Sequence, residues 1–515
     1  MASENFYEGT SSGLYPDKDI SYSGRVLAGK IGGTTSIQTA NQLQEVSNLL
    51  NSGMKAVELQ PIQEGVLEMI PKEHLKEINR LSQLTKSELS LHAPMIEPSG
   101  FTQQGWSEQN REDAERQFTN IVLRAHELSP NKPLPITIHS SAVPGTETMP
   151  KELIKGGLTD EEKAMYKNGQ IPVQMVVVNQ NTGEMTGVRR EIKHYPGEPE
   201  GKMYSPEKEL EIKNRSYWDH QLSQLLFYKE RGDELLNKNY GQVMEEFSKL
   251  RNLDKISPQD VKNVVDSMTP TQKEAYSNVK NAEIYLENTQ QTLSALFNEA
   301  YKASNEKGKE ALATASQMFK EDLEEGQKHG FDPRKYSRAL QGILESMQQI
   351  TINSKGGKLT PEIYVPIEKF ATEKASETFS NVAVEAYKKF GKDAPFISIE
   401  NPPYGTAIST AEDLKKLIEE SRNKFAEKIK REKGLSDSEA KKAAEQMIGA
   451  TWDTSHISMI RKQGYGKEEL IKQAETIAPF VKHVHYNDNF GFTHTDLPPG
   501  MGDVPLKEII EKLNK

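Results

Sequence analysis

The sequence predicts an α/β fold of the TIM (β/α)8 type, with a large, mainly helical insertion after the fourth strand. Three observations support this fold class. Short apolar segments alternate with helical segments near both ends of the chain, seven such apolar segments can be counted, and a long block of different character separates the fourth from the fifth. Because strands that alternate with helices pair in parallel, these seven strands favour a barrel over an open doubly wound sheet.

The predicted strands, in chain order, are RVLAGKI (25–31), KAVELQP (55–61), ELSLHAP (88–94), PITIHSS (135–141), PFISIENPP (395–403), IGATWDTSH (448–456) and VKHVHYND (481–488). Apolar residues recur at helical spacing between them, for example over 107–128, and 410–413 and 436–439 are capping-box starts of helices. An eighth strand is not evident, because the seventh is followed by the helical segment 506–515. We therefore expect that another segment, such as 172–179, completes the barrel, or that the barrel remains open.

The block between the fourth and fifth strands differs from the rest of the chain. Residues 171–195 predict a β-hairpin that turns at 181–183, and the segment from about 206 to 353 is rich in Glu, Lys and Gln with long helical periodicity. The loop after a strand opens at the C-terminal face of a barrel, where the active sites of this fold lie. A lid or substrate-selecting domain and an oligomerisation arm both fit this position. The predicted domains are a polar N-terminal segment, a barrel in two parts and the inserted module (1–22; 23–144 and 356–515; 145–355).

Composition excludes several classes of protein. The 515 residues include 65 basic and 75 acidic side chains, and a net charge of −10 argues against a general nucleic-acid coat or a polybasic membrane binder. The absence of cysteine excludes disulfides, thiolate catalysis and cysteine-ligated metals, so any metal must be bound by His, Asp or Glu. No run of about 18 apolar residues exists to span a bilayer, and the polar N-terminus does not resemble a secretory signal. We expect a cytoplasmic protein.

Histidine and acidic residues recur at the predicted strand ends. They are His92, His139, Glu400, Asp453 with His456 three residues later, and His485 with Asp488 beyond it, followed by His494 and Asp496 in the next loop. In a barrel these ends converge on one mouth. Imidazole nitrogens and carboxylate oxygens bind Zn²⁺, Mn²⁺ or Fe²⁺, and paired ions about 3.5–4 Å apart assist in-line phosphoryl displacement. Burial of so many unpaired polar groups would be unfavourable without a metal or a partner, so the pattern indicates a metal site.

A series of motifs then points to a family. Six motifs follow one another in the order of the endonuclease IV signatures: LHAP (91–94), IHSS (138–141), IENPPYG (399–405), WDTSH (452–456), HYND (485–488) and HTDLPPGMGD (494–503). The segment LAGKIGGTTSIQTA (27–40) also resembles that family's first strand. The chain thus resembles endonuclease IV (AP endonuclease family 2), within the xylose-isomerase-like TIM barrel superfamily. The resemblance covers roughly 23–141 and 390–503. DTSH and HYND also occur in sugar isomerases and epimerases of the superfamily.

The resemblance implies a set of metal ligands. His92 and His139 would hold one ion, and Glu400 would bridge it to a second ion that Asp453 and His485 also bind. Glu400 and Asp453 would be the catalytic carboxylates. The implied activity is zinc-dependent hydrolysis of phosphodiester bonds at abasic sites in DNA, a step of DNA repair. Two or three Zn²⁺ ions are expected, with Mn²⁺ or Mg²⁺ as alternatives.

Three departures from the family pattern bear on this assignment. His456 would bind a third ion with the pair His494-x-Asp496, where the family usually has the order Asp-x-His. The insertion of this chain is absent from the ordinary family pattern. Conversely, the family's eighth strand normally supplies a final Glu ligand, and this chain lacks that strand and its Glu. Glu58, at the end of the second strand, is either a substitute ligand, a substrate contact or part of a structural salt bridge.

Other residues are candidates for binding the substrate. Arg189 and Arg190 of the hairpin suit phosphate groups, although a solvated hairpin face is an alternative. Asn401 and Asp488 follow strand ends and are further candidates, together with Glu58. The substrate would be DNA or, if the chain is a sugar or sugar-phosphate isomerase or epimerase, a phosphorylated sugar. A non-catalytic binding or assembly protein on a degenerate barrel is the third interpretation, and the sequence does not indicate an oligomeric state.

Overall fold

The computed structural model describes residues 32–62, 65–150, 171–247, 257–327, 332–352 and 360–513. The predicted first strand, 25–31, lies outside this part of the chain. The chain divides into two compact units. The first, called the sheet unit, contains the described residues up to Val178, Thr182–Pro206 and those from Pro366 onward; the second, called the helical unit, contains Asn179–Asn181 and Glu207–Val365.

The sheet unit is built on seven parallel strands that are hydrogen-bonded in sequence order. They are β1 (Gly32–Thr34), β2 (Ala56–Leu59), β3 (Glu88–His92), β4 (Pro135–His139), β5 (Phe396–Glu400), β6 (Ile448–Asp453) and β7 (Val481–His485). Strands β2 to β7 lie within the predicted segments and end two or three residues before those segments do. The prediction of a mixed α/β fold with a parallel sheet is confirmed.

Contacts between distant strands show that this sheet is curled. The Glu58 carboxylate on β2 lies 2.9 Å from the His485 imidazole on β7. Those strands are five inter-strand steps apart, which would separate them by about 24 Å in a flat sheet at ~4.8 Å per step. The curl brings the carboxyl ends of the outer strands together. Within the described residues β1 and β7 are the edges of the sheet, and no further strand pairs with either.

Helices connect the strands and cover the sheet. They are Gln42–Asn51, Val66–Met69, Lys72–Thr85, Glu108–Ala125, Ile367–Phe390, Ala411–Lys433, Asp437–Met447, Thr454–Ser458, Lys467–Ile477 and Leu506–Leu513. Two begin where the sequence predicts: the Thr410 side chain accepts from the Asp413 N–H, and Ser436 forms a full capping box with Glu439. The inner strands of the parallel sheet are buried on both faces, so apolar residues of β5 such as Ile397 and Ile399 are fully buried.

The predicted hairpin is present but does not complete the parallel sheet. Pro172–Asn179 pairs in antiparallel fashion with Met185–Arg189 and with Glu147–Thr148, in a separate sheet. The expectation that 172–179 closes the barrel is therefore wrong: its backbone groups are already engaged on both sides. A second hairpin joins Glu191–Tyr195 to Glu198–Tyr204. Further short strands are Phe101–Thr102, Gly105–Trp106 and Tyr364–Pro366.

The helical unit has its own apolar core. Its helices are Pro206–Phe247, Pro258–Ser267, Pro270–Ala303, Glu306–Gln327 and Pro333–Ile352. Trp218, Leu286 and Leu340 are fully buried between them. Ser257 and Thr269 cap their helices with capping boxes, each followed by Pro. The hairpins belong to the sheet unit, so the predicted insertion 145–355 divides near residue 206. Among the described residues, no helix is both long and apolar enough to cross a membrane.

Candidate metal centre

Five consecutive strands each end in a residue that can bind a metal. His92, His139, Glu400, Asp453 and His485 are the last residues of β3 to β7. His139 is paired in register with Glu400, and Asp453 with His485. Because the sheet is curled, these neighbouring ends face a common space. The convergence that the sequence predicted is therefore present in the structure.

The side chains form four groups in which one nitrogen or oxygen atom of each residue lies within 4.8 Å of the others. The groups are Glu58, His483 and His485; His92, Glu400 and His485; Glu400, Asp453 and His456; and His456, His494 and Asp496. Glu400 and His485 each belong to two groups, and so does His456. The four groups are therefore one continuous array of imidazoles and carboxylates.

The first part of the array surrounds one oxygen of Glu400. Its Oε2 lies 3.2 Å from Nε2 of His92 and 3.1 Å from Nε2 of His139. The Nδ1 of His92 lies 2.8 Å from the carbonyl oxygen of Ala93, which fixes the proton on Nδ1 in the neutral ring. The Nε2 lone pair then faces a carboxylate oxygen. Two acceptors at this distance need a proton or a cation between them.

The second part of the array lies at the other oxygen of Glu400. Nδ1 of His485 is 2.5 Å from Oε1 of Glu400 and 3.7 Å from Oδ2 of Asp453. The other Asp453 oxygen, Oδ1, accepts from the backbone N–H groups of Ser455 and His456 at the start of the helix Thr454–Ser458. Asp453 is thus fixed by its role as an N-cap, and Oδ2 remains directed toward His485.

The third part contains the reversed His-x-Asp pair. Nε2 of His456 lies 2.9 Å from Nε2 of His494, and Nδ1 of His456 donates to the carbonyl of Asn401 at 2.7 Å. Asp496 accepts from Ser455 Oγ at 2.8 Å and lies 3.8 Å from His494. The reversed order therefore still delivers one imidazole and one carboxylate to His456.

Glu58 lies on the far side of His485. Its carboxylate is buried, and it contacts Nε2 of His485 and Nε2 of His483, both at 2.9 Å, and Ser90 Oγ at 2.8 Å. His483 was not among the predicted site residues. A signal was present, because residues two apart on a strand point to the same side, and His483 and His485 are such a pair.

The electrostatics of the array depend on these contacts. Burial alone would raise the pKa of Glu400, but the charge of His485 and hydrogen bonds from His139 and His485 hold that pKa well below its ordinary value. Burial alone would lower the pKa of His485, but the carboxylates of Glu400 and Glu58 raise it well above its ordinary value. Both carboxylates are therefore ionised, and they stabilise positive charge on the His485 ring that lies between them.

His139 differs from the other imidazoles of the array. Burial lowers the pKa of His139, which favours the neutral ring, the form that binds metals. Its Nδ1 is buried, and within the described part of the chain it has no hydrogen-bond partner. Imidazole nitrogens and ionised carboxylate oxygens face one another here, and this donor set matches the chemistry of Zn²⁺. Up to three ions would be held by these side chains. His92, His139 and Glu400 would hold the first ion, Glu400, Asp453 and His485 the second, and His456, His494 and Asp496 the third.

Two of the predicted substrate contacts also have structural roles. Asn401 is fully buried, and its amide pairs with both the N–H and the carbonyl of Asp453, at 2.8 and 3.0 Å. Asp488 is also buried, and each of its carboxylate oxygens accepts two backbone N–H groups, from Asn489 and Val504 and from Gly500 and Gly502. The loop must approach closely there: a Cβ on Gly502 would lie 2.6 Å from the Asn489 carbonyl oxygen. Their contact with a substrate stays a prediction.

The hairpin arginines are not part of the array described above. Arg189 is exposed at the end of its strand and donates from Nε to Gln174 on the paired strand, at 2.8 Å. Arg190 follows it, and its backbone N–H donates to the Val173 carbonyl at 2.7 Å. Their contact with a phosphate group stays a prediction.

Comparison with known proteins adds no identification. No family model matches the chain, and neither a curated protein nor a solved structure matches it.

Proposed function

We propose that this protein is a metal-dependent phosphodiester hydrolase similar to endonuclease IV, built on a xylose-isomerase-like barrel and holding two or three Zn²⁺ ions. The observation that carries the proposal is the environment of Glu400. One of its oxygens faces His92 and His139, and the other faces His485. A carboxylate with different imidazoles at its two oxygens is the arrangement that a bridging ligand of two neighbouring ions requires.

The chemistry of such a centre suits phosphodiesters. Neighbouring divalent ions, when bound, lower the pKa of water and stabilise the attacking and leaving oxygens of an in-line displacement. The chain's own residues hold the ligand atoms in place. Asp453 is fixed by the helix that it caps, and the rings of His92 and His456 are fixed by contacts between Nδ1 and backbone carbonyl oxygens. The net charge of −10 is compatible with a DNA substrate, because bound ions supply local positive charge. The choice of abasic DNA depends on the motif resemblance.

The test combines a metal count with an assay of DNA cleavage. Protein purified without chelators should contain two or three equivalents of zinc by elemental analysis, and should nick a labelled duplex at a single abasic site. Glu400→Gln removes the bridging charge and should reduce nicking more than the about 10–100-fold that follows loss of an outer-sphere partner. Glu368→Gln is the matched control, because Glu368 is a half-buried carboxyl outside the array, which accepts from the Thr146 N–H.

Other outcomes would replace the proposal. A single equivalent of Mn²⁺ or Mg²⁺ together with turnover of a phosphorylated ketose would identify a sugar isomerase. Protein without bound metal, inactive on both substrates but forming a defined oligomer, would identify an assembly protein. Equal nicking by the wild type and Glu400→Gln would show that this carboxylate has no role in the reaction.

A further inference from the structure

The imidazole of His485 lies between two carboxylates. Its Nδ1 is 2.5 Å from Oε1 of Glu400, and its Nε2 is 2.9 Å from Oε1 of Glu58. An imidazole that binds a metal ion is neutral and has one proton for its two nitrogens. If Nε2 carries the proton, the Nδ1 lone pair faces Glu400 and Asp453; if Nδ1 carries it, that side has no ligand atom.

The surroundings of Glu58 decide which nitrogen carries the proton. Three polar groups contact the Glu58 carboxylate, which as an ionised group can only accept: Nε2 of His485 at Oε1, and Nε2 of His483 and Oγ of Ser90 at Oε2. Ser90 is the cross-strand neighbour of Glu58 in the register of β2 and β3, so this contact is built into the sheet. The carboxylate is only 5% exposed, so water does not compete for its lone pairs.

We propose that Glu58 is a positioning residue, which accepts the Nε2 proton of His485 and so directs the Nδ1 lone pair toward Glu400 and Asp453. The inference rests on the metal centre of the proposed function and assigns a role within it. Carboxylates commonly orient metal-binding histidines in this way, through the nitrogen that does not bind the metal. Glu58 belongs to β2, so this support comes from the opposite end of the sheet and needs no eighth strand.

The geometry also indicates why Glu58 is not itself a ligand. Its oxygens are engaged by the three donors, and His485 separates Glu58 from Glu400 and Asp453. His483 and Ser90 hold Glu58, and Glu58 holds His485. Removing one donor to Glu58 should therefore have a smaller effect than removing the carboxylate.

Two measurements on the full-length protein test the role of Glu58. The first is the ¹⁵N spectrum of the histidine side chains in zinc-loaded protein, which identifies the protonated nitrogen of each ring; the His485 signals are assigned with a His485→Asn variant. The second is titration of metal-stripped protein with Zn²⁺. In wild-type protein His485 should be protonated at Nε2. Glu58→Gln should give a mixture of tautomers and weaken one of the bound ions about 10–100-fold. Ser90→Ala should weaken it less, and Glu368→Gln should not change it.

Each contrary result has a distinct meaning. A wild-type protein that takes up no zinc would overturn both the metal centre and this inference. If zinc still binds, and if the zinc affinity and the His485 signals are the same in Glu58→Gln as in wild type, the role of Glu58 is overturned while the metal centre stands. Loss of one whole ion per chain in His483→Ala, with the other ions unchanged, would show that Glu58 and His483 hold an ion themselves. Circular dichroism of each variant establishes that it is folded.

Discussion

Replacement of Asp488 by alanine should release the loop that carries His494 and Asp496. The Asp488 carboxylate accepts four backbone N–H groups, at 2.9 to 3.0 Å, from residues on both sides of this loop. Asn489 and Val504 are buried, whereas Gly500 is exposed and Gly502 half-buried. Water can replace the carboxylate at the two glycines, but it does not reach the other two donors as easily.

The size of the effect follows from the two buried donors. An unsatisfied buried donor costs about 1–3 kcal/mol, so the loop in Asp488→Ala should lose about 2–6 kcal/mol of local stability. That corresponds to about 30-fold to 10⁴-fold faster exchange of the protected loop amides, at about 1.4 kcal/mol per factor of ten. Asp488→Asn retains one carboxylate-like oxygen, so its effect should be smaller.

Hydrogen–deuterium exchange with peptide-level detection is the appropriate assay, because it reports on this loop separately from the rest of the chain. The peptide that contains Val504 should exchange faster in Asp488→Ala, while peptides of β3 and β4 should not change. A zinc titration of the same variant should show loss of the ion assigned to His456, His494 and Asp496. Unchanged exchange at Val504, or faster exchange throughout the sheet unit, would refute the assignment of Asp488 to this loop.

Two further predictions concern the array itself. In metal-stripped protein, the lowered pKa of Glu400 stabilises the fold at pH values above 4.5, the ordinary pKa of a glutamate, and this contribution is lost as the pH falls. The raised pKa of His485 stabilises the fold at pH values below 6.5, the ordinary pKa of a histidine, and this contribution is lost as the pH rises through the folded-state pKa. The melting temperature without metal should therefore be highest between pH 4.5 and 6.5 and should fall toward alkaline pH. Added Zn²⁺ should remove the alkaline decline, because protons compete with the metal. A metal-free melting temperature that rises steadily above pH 6.5 would contradict this. Asn401→Ala leaves the N–H and carbonyl of Asp453 without their partner and should lower stability by about 2–6 kcal/mol. Equal denaturant midpoints for Asn401→Ala and wild type would show that the amide does not support Asp453.

The sequence predicted those features that follow from local pattern. Strands β2 to β7 were found because short apolar segments alternate with capped helices, and five strand-end residues were grouped because parallel strands end at the same edge of a sheet. The His494-x-Asp496 pair was also placed correctly beside His456. Each of these depends on spacing along the chain and on the direction of a strand, both of which a single sequence contains.

The features that were missed depend on tertiary contacts. The role of Asp488 is set by backbone groups up to 16 residues away, which a motif does not reveal. Segment 172–179 has the composition of a sheet strand, but it pairs with antiparallel strands of a separate sheet, and composition does not specify a partner. Glu58 and His485 meet only because the sheet curls, so their pairing required the three-dimensional structure.

Anomalous diffraction at the zinc absorption edge, from crystals of protein purified without chelators, tests the central claim most directly. We predict one peak among His92, His139 and Glu400, a second among Glu400, Asp453 and His485, and a third at His456, His494 and Asp496. The absence of any peak at Glu400 in well-ordered crystals would contradict the claim that these side chains form a metal centre.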